Sequence, residues 1–309
     1  MTDTDFDLDA LITKVDDASR AELASKPEVD TNWTGDLDVS TLPITARKWI
    51  EVPDLVAVVA DMKNSTKMGT GKHAASTAST YQAATGGVVE VFNQFEANFI
   101  QIQGDGAFAL FWGDDRYRRA LAAAITIQTF GGKLTDRLEK KWPDAPGTGI
   151  KVGVASSRIL VKRIGTPRNP AQQEPVWAGK AVNYAAKAAQ GADRHQIVVT
   201  GTVWDAIEKN DYLTVTCGCP DGIVHQLWED VDIDRLPDND PDAKGRMLPA
   251  SWCATHGQEF CNAILAGQTK RPEAESERAK ALASQYATSL REVARKSREL
   301  RVAHRQGLR

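Results

Sequence analysis

The sequence predicts an α+β fold, a sheet with helices packed on one face, and three observations predict it. Residues 55–60 form an apolar run that ends abruptly in Asp61, the pattern of a buried strand delivering one carboxylate at its end. Residues 98–111 place two strand-like stretches on either side of Gly104-Asp105-Gly106, the composition of a tight hairpin. Long Ala- and Leu-rich stretches at helical spacing alternate with these strands, as a layered sheet-and-helix domain requires.

The elements follow in order. Residues 1–45 are acidic, broken by Asp, Pro and Thr, with one short helix expected over 7–23. The strand at 55–60 leads to a helix expected from near Gly71 through 81–95, with Ser65 or Thr66 as caps. After the hairpin comes a helix over 116–138, then strands over 150–155 and 159–164. The segment 165–175 holds three prolines without apolar periodicity and reads as a loop. An Ala-rich helix opens after Gly179 and stops at Gly191. A strand at 197–200 and a helix at 203–208 close a βαββαββαβα series. Three regions are expected: an acidic segment (1–45), a central domain (46–209), and a Cys-containing appendage with a charged helical tail (210–309).

Composition narrows the function. With 309 residues and 42% hydrophobic content the chain can bury a sizeable core. A net charge of −3 argues against general nucleic-acid or membrane-surface binding. No apolar stretch is long enough to span a bilayer, and the acidic N-terminus lacks the order of a signal peptide, so a cytoplasmic protein is expected. The tail's basic end (Arg291, Arg295, Lys296, Arg298, Arg301, Arg305, Arg309) reads as a solvated helix face.

Three motifs carry chemistry. Asp61 and Asp105, brought together, form an oxygen-donor pair for Mg²⁺ or Mn²⁺, ions that work on phosphates. Gly179 opens a helix on which Asn183 and Lys187 stand four residues apart, on one face. A neutral amide beside a cation suits a ribose and a phosphate; taken alone, a solubilised Ala-rich helix explains them better. All four cysteines, Cys217, Cys219, Cys253 and Cys261, lie in the C-terminal third. Cys217-Gly218-Cys219, after a strand-like stretch at 212–216, and Cys253 with His256 suffice to close a structural Zn²⁺ site, with Cys261 and His225 as spare ligands. Four thiols that merely pack are the alternative.

In this order the motifs resemble those of the class III nucleotide cyclases, over roughly residues 50–207. The resemblance implies a ferredoxin-like βαββαβ core with extra strands. It implies Asp61 and Asp105 as metal ligands, the Met62 carbonyl beside them, and two Mg²⁺ or Mn²⁺ ions per site. Asn64, Ser65 and Thr66 match the family's phosphate-holding turn. Asn183 matches the ribose-orienting asparagine, and Lys187 stands where the family usually has arginine, keeping charge without the bidentate fork. The adenine-reading Lys and Asp positions fall on Gln101 and Val176, and the guanine-reading pair is absent too. This combination is similar to the pyrimidine cyclases of bacterial antiphage Pycsar systems. It implies cyclisation of UTP by preference, or of CTP, with the product acting on a cyclic-nucleotide-responsive effector. Trp49 and Trp177 are candidates to narrow a purine-sized pocket, or plain core aromatics. The family's sites are shared between two subunits, so the resemblance implies a homodimer. The competing readings are an adenylate or guanylate cyclase with an atypical base pocket, and a nucleotide-binding regulator without turnover. A diguanylate-type polymerase would want a Gly-Gly-Asp/Glu-Glu-Phe turn where this chain has Gly104-Asp105-Gly106.

Overall fold

The computed structural model describes residues 6–32, 37–42, 44, 46–68, 73–143, 147–219, 221–280, 283, 287 and 291. Gly71 and the basic residues from Arg295 onward lie outside the described residues; Arg291 is exposed. The elements are α1 (Leu8–Leu23), β1 (Glu28–Asp30), β2 (Lys48–Lys63), α2 (Ser65–Met68), α3 (Ala74–Gln94), β3 (Phe99–Gln103) and β4 (Gly106–Phe111). There follow α4 (Arg116–Lys141), β5 (Gly149–Gly165), β6 (Gln173–Gly179), α5 (Lys180–Gly191), β7 (Ile197–Val199) and α6 (Gly201–Ile207). The chain continues through α7 (Asp211–Thr214), β8 (Glu229–Asp232), β9 (Lys244–Leu248) and α8 (Gly257–Leu265). From β2 to α6 the order follows the expected series with three differences: one strand, β5, takes the place of two, β6 arises within the expected loop, and the short α2 is added. Among the described residues no helix is long and apolar enough to cross a membrane.

The chain divides into two compact units. One comprises Met1–Pro53 with Arg158–Gly179, the other Asp54–Ser157 with Lys180–Arg309. In the first, β1 runs parallel to the start of β2, and β6 antiparallel to the end of β5. The end of α1 is held by Arg47, whose guanidinium donates to the Glu22 carboxylate and to the Glu22 and Ser25 carbonyls. Trp49, expected just before the first strand, lies within β2 opposite Val29.

The second unit contains most of the sheet, whose strand order is β3-β4-β2-β5-β7-β9-β8. Strand alternation sorts its side chains. From β2, Val56, Val58, Ala60 and Met62 enter the core, as do Ile150, Val152 and Val154 from β5. There they meet Phe92 of α3 and Leu121 and Ile127 of α4. The intervening residues of β5 face the other way, where α5 lies. At Gly153 an added Cβ would stand 2.0 Å from the Ala185 carbonyl oxygen and 2.4 Å from the Ala189 nitrogen. So α3 and α4 cover one face as expected, and α5 covers part of the opposite one.

Several boundaries differ from the sequence expectation. The strands expected at 150–155 and 159–164 are one continuous strand, β5. Its Ser156 and Ser157 look like a break, but both hydroxyls are occupied: the Tyr117 hydroxyl bonds Ser156 and the Ala181 amide donates to Ser157. The expected loop at 165–175 gives way to β6 from Gln173. The strand-like 212–216 is largely the helical turn α7, capped by Asn210, with Val215 bridging Gln226. Residues beyond 210 also join the sheet, since β9 pairs antiparallel with β7 and β8 with β9. The start of the charged tail is anchored by Arg271, whose side chain is 3% exposed and donates to the Val215 and Thr216 carbonyls.

The approach of α5 to β5 sets a test. Gly153→Ala forces a methyl into the Ala185 backbone and should cost on the order of 3 kcal/mol. A fall in Tm on the order of 5 °C is expected in thermal unfolding; an unchanged Tm would mean that α5 does not rest on this strand.

Candidate active site

The site is built where β2 meets the β3–β4 hairpin. β2 and β4 are antiparallel with Ala60 opposite Ala107, so one step further along the ladder Asp61 comes opposite Gly106. The hairpin is closed by two residues, Gly104 and Asp105, between the paired Gln103 and Gly106. Gly104 holds φ +63° at the first loop position, where a two-residue turn of the II′ kind demands glycine. Gly106 is needed for closeness: an added Cβ would lie 2.5 Å from the Ala60 carbonyl oxygen and 3.2 Å from the Asp61 Cα. The two aspartates expected from sequence are thereby carried on adjoining backbone, each partly exposed.

By alternation Asp61 falls on the face of β2 opposite the α3–α4 core. Lys151, likewise one residue out of phase with the core residues of β5, meets it there: Nζ lies 3.0 Å from Asp61 Oδ2. The lysine side chain is 15% exposed against 37% for the aspartate, so a nearly buried cation neutralises the carboxylate from below. Lys151 was missed in the sequence reading. Its signal was a lone charge within the apolar stretch 150–155, at the same parity as Gly153. Around Asp61 lies a pocket of about 180 Å³ bordered by Val59, Gln103, Gly106, Ala186, Ala189 and Gln190 among others. The small side chains of α5 leave this space open.

The donor set suits a hard divalent ion. Two carboxylates and a backbone carbonyl at a strand end offer only oxygen, and the position already attracts positive charge in the form of Lys151. The buried Met62 packs its side chain into the core.

The turn after β2 is also fixed. Asn64 adopts φ +60°, a left-handed conformation that asparagine tolerates better than most residues. Its side-chain amide donates to the Gly147 carbonyl at 2.7 Å, and the short α2 with Ser65 and Thr66 follows.

Helix α5 is clamped at its start. Lys180 Nζ and the Tyr184 hydroxyl both bond Asp240 Oδ2, each at 2.7 Å. Lys180, then Tyr184, hold the Asp240 pKa down to about 2. The stabilisation from this lowered pKa is therefore complete above the ordinary carboxylate range and is lost only as pH falls toward 2. Asn183 is exposed on α5. Lys187 stands over the Tyr184 ring, 5.7 Å from its centroid, and borders a separate depression with Asp232, Asp234 and Arg235. Neither Asn183 nor Lys187 is among the described residues lining the Asp61 pocket. Of the base-reading positions, Gln101 lies on β3 opposite Phe108. Val176 and Trp177 lie on β6, opposite Lys162 and Val161 in the other unit, which also contains Trp49.

No protein-family model matches the chain. Two curated relatives do. The chain is 56% identical over 310 residues to a uridylate cyclase of Micromonospora echinofusca, covering 99% of each chain. It is 48% identical over 273 residues to a uridylate cyclase of Propioniciclava tarda, covering 88% of each. Among solved structures, the adenylyl cyclase CyaB of P. aeruginosa superposes with a TM-score of 0.52 at 12% identity, over 64% of this chain and 94% of that one. The guanylyl cyclase Cya2 gives 0.51 at 16% identity, over 65% and 93%. At such identities these two structures speak for the fold.

The closeness at Gly106 predicts a local effect on cation binding. Gly106→Ala should push the Asp61 backbone from the hairpin and weaken Mn²⁺ binding about tenfold, roughly 1.4 kcal/mol. Titration calorimetry with Mn²⁺, beside a circular dichroism spectrum showing retained secondary structure, checks it; undiminished affinity would detach the hairpin from the cation site.

Proposed function

This chain belongs to the uridylate cyclase family of class III nucleotide cyclases, and we propose that it converts UTP to the 3′,5′-cyclic monophosphate and pyrophosphate. The observation carrying this reading is the register that sets Asp61 against the Gly104-Asp105-Gly106 turn. Two identical assignments among relatives that align over most of the chain support the uridine nucleotide.

In the proposed reaction the ribose 3′-oxygen attacks the α-phosphorus, the bond to the bridging oxygen breaks, and pyrophosphate leaves with that oxygen. Two Mg²⁺ or Mn²⁺ ions, held by Asp61, Asp105 and the Met62 carbonyl, would supply a lowered pKa for the 3′-hydroxyl and charge neutralisation for the triphosphate. Lys151 balances the Asp61 carboxylate, and with a divalent ion held by that carboxylate its ammonium would be available to the phosphates. The turn at Asn64, Ser65 and Thr66 offers backbone amides to them. Asn183 orients the ribose and Lys187 offsets charge building on the α-phosphoryl oxygens. Gln101 carries both a donor and an acceptor, so its amide can meet the edge of a pyrimidine that a lysine could only donate to. Val176, Trp177 and Trp49 are the remaining candidates around the base.

The functional unit in this reading is a homodimer. A pocket of about 180 Å³ is small beside the roughly 300–1,000 Å³ of small-molecule sites, and Asn183 and Lys187 do not line it. A partner bringing its own Asn183 and Lys187 to these carboxylates completes the site. The cyclic product would serve as a second messenger in antiphage defence, read by a cyclic-nucleotide-responsive effector. The structural zinc suggested by the sequence concerns other residues and has no part in this chemistry.

Incubating the purified protein with each of the four nucleoside triphosphates and Mn²⁺, then separating the products, tests the substrate. UTP should be turned over at least about tenfold faster than ATP or GTP, the discrimination that one or two well-placed polar contacts provide. A preference for ATP would point to an adenylate cyclase with an unusual pocket, and binding without product to a silent regulator.

Asp61→Ala and Asp105→Ala should each abolish cyclisation while leaving Tm within a few degrees of the parent, as expected for partly exposed side chains. Mixing Asp105→Ala with Asn183→Ala protein should restore activity, because one of the two mixed sites keeps every native group. Proven subunit exchange with no recovery would contradict shared sites.

A further inference from the structure

In the C-terminal region the structure gathers four soft ligand side chains from two distant segments. Cys217 and Cys219 follow α7; Cys253 and His256 precede α8. One ligand atom from each lies within 4.8 Å of every other. His256 Nδ1 is 3.3 Å from Cys219 Sγ and 3.9 Å from Cys253 Sγ. The two nitrogen–sulfur separations bracket the roughly 3.5 Å edge of a tetrahedron whose centre bonds sulfur at about 2.3 Å and nitrogen at about 2.0 Å. All four cysteines of the chain are unbridged. We propose that Cys217, Cys219, Cys253 and His256 bind a structural Zn²⁺ ion.

The surroundings bring donors to the sulfurs. Backbone amides of His256 and Thr255 point at the Cys253 sulfur, and Cys219 hydrogen-bonds the Cys217 sulfur. Adjacent thiolates repel unless a cation stands between them, and a divalent ion allows all three to ionise by displacing their protons. The full four-ligand set leaves no open position, so the ion is structural rather than catalytic. Cys261, half-buried on α8, is not among the residues whose ligand atoms converge.

The location explains why such a clamp is useful. The segment before α8 is tied to α4 by polar contacts: the Trp252 amide donates to Thr129, its indole to Thr126, and Gln128 to the Ala250 carbonyl. Cys217, Cys219 and Cys253 line one side of an open, largely apolar pocket of about 410 Å³ that also has Ile125, Leu213, Val215, Leu248 and Phe260 in its walls. The pocket separates parts of the two segments, so their direct contact is limited there. Four metal bonds would join the two segments directly and tie both to the α4 face of the catalytic unit.

Elemental analysis of tag-free protein, prepared without chelator, tests the proposal. About one equivalent of zinc per chain is expected, falling below a tenth in Cys219→Ser and Cys253→Ser and persisting in Cys261→Ala. It should also persist in the Asp61→Ala/Asp105→Ala double variant, which separates this site from the carboxylate pair. Should the cysteine variants fail to fold, Co²⁺ substitution of the unmodified protein decides: thiolate-to-cobalt charge-transfer absorption and strong tetrahedral visible bands are expected. Less than a tenth of an equivalent of zinc in the unmodified protein would overturn the proposal. So would zinc lost with the aspartates but kept without Cys219, or only two titratable thiols in unreduced, denatured protein.

Discussion

The candidate site depends on one close approach, between the backbone of β2 and the hairpin turn at Gly106. With hydrogen there instead of a methyl, the Ala60 carbonyl can come to 2.5 Å from where a Cβ would stand, and the Ala60–Ala107 register holds to the end of the strand pair. That register delivers Asp61 beside the turn that carries Asp105. A slip of one residue would send Asp61 into the apolar core, where an unpaired carboxylate is expensive to bury. The buried residues flanking it, Ala60 and Met62, fix the register from the other face.

The same two-residue period gives the sheet two chemistries. On β2 and β5 alternate residues fill the core with α3 and α4, while those between them face α5 and the pocket. Lys151 and Asp61 share this second face and are paired. The Asp61 carboxylate is thus already paired, which spares the strand end an uncompensated charge in a half-buried position. The small residues of α5, Ala186 and Ala189, keep the pocket open, and the Lys180–Asp240–Tyr184 cluster sets where that helix begins.

Beyond α6 the chain is held differently. β9 extends the sheet through β7, and Trp228 packs on Trp204 with its indole donating to the Leu213 carbonyl. Between α7 and α8 Tyr212 packs edge-on against Phe260 beside an open pocket. The proposed metal clamp would join the two cysteine segments at the rim of that pocket. The two candidate sites differ in ligand type, oxygen at the strand ends and sulfur with nitrogen in the appendage.

Local pattern alone determined most of the helices and strands, the hairpin with its acidic tip, and the residue types of both candidate metal-ligand sets. Those signals are short-range: apolar periodicity, Gly-Asp-Gly between strands, and soft ligands spaced two or three residues apart. Local pattern misread Ser156-Ser157 as a break, because their hydroxyl partners, Tyr117 and Ala181, arrive from distant elements. It missed Lys151, because a lone lysine in a strand acquires meaning only when Asp61 stands opposite. Tertiary structure alone decided that α5 covers the second face of the sheet and that the chain beyond 210 completes that sheet. It also decided that Cys217, Cys219, Cys253 and His256 converge. Each of these is a contact between segments far apart in sequence, set by how helices and strands fill space together rather than by any residue's own preference.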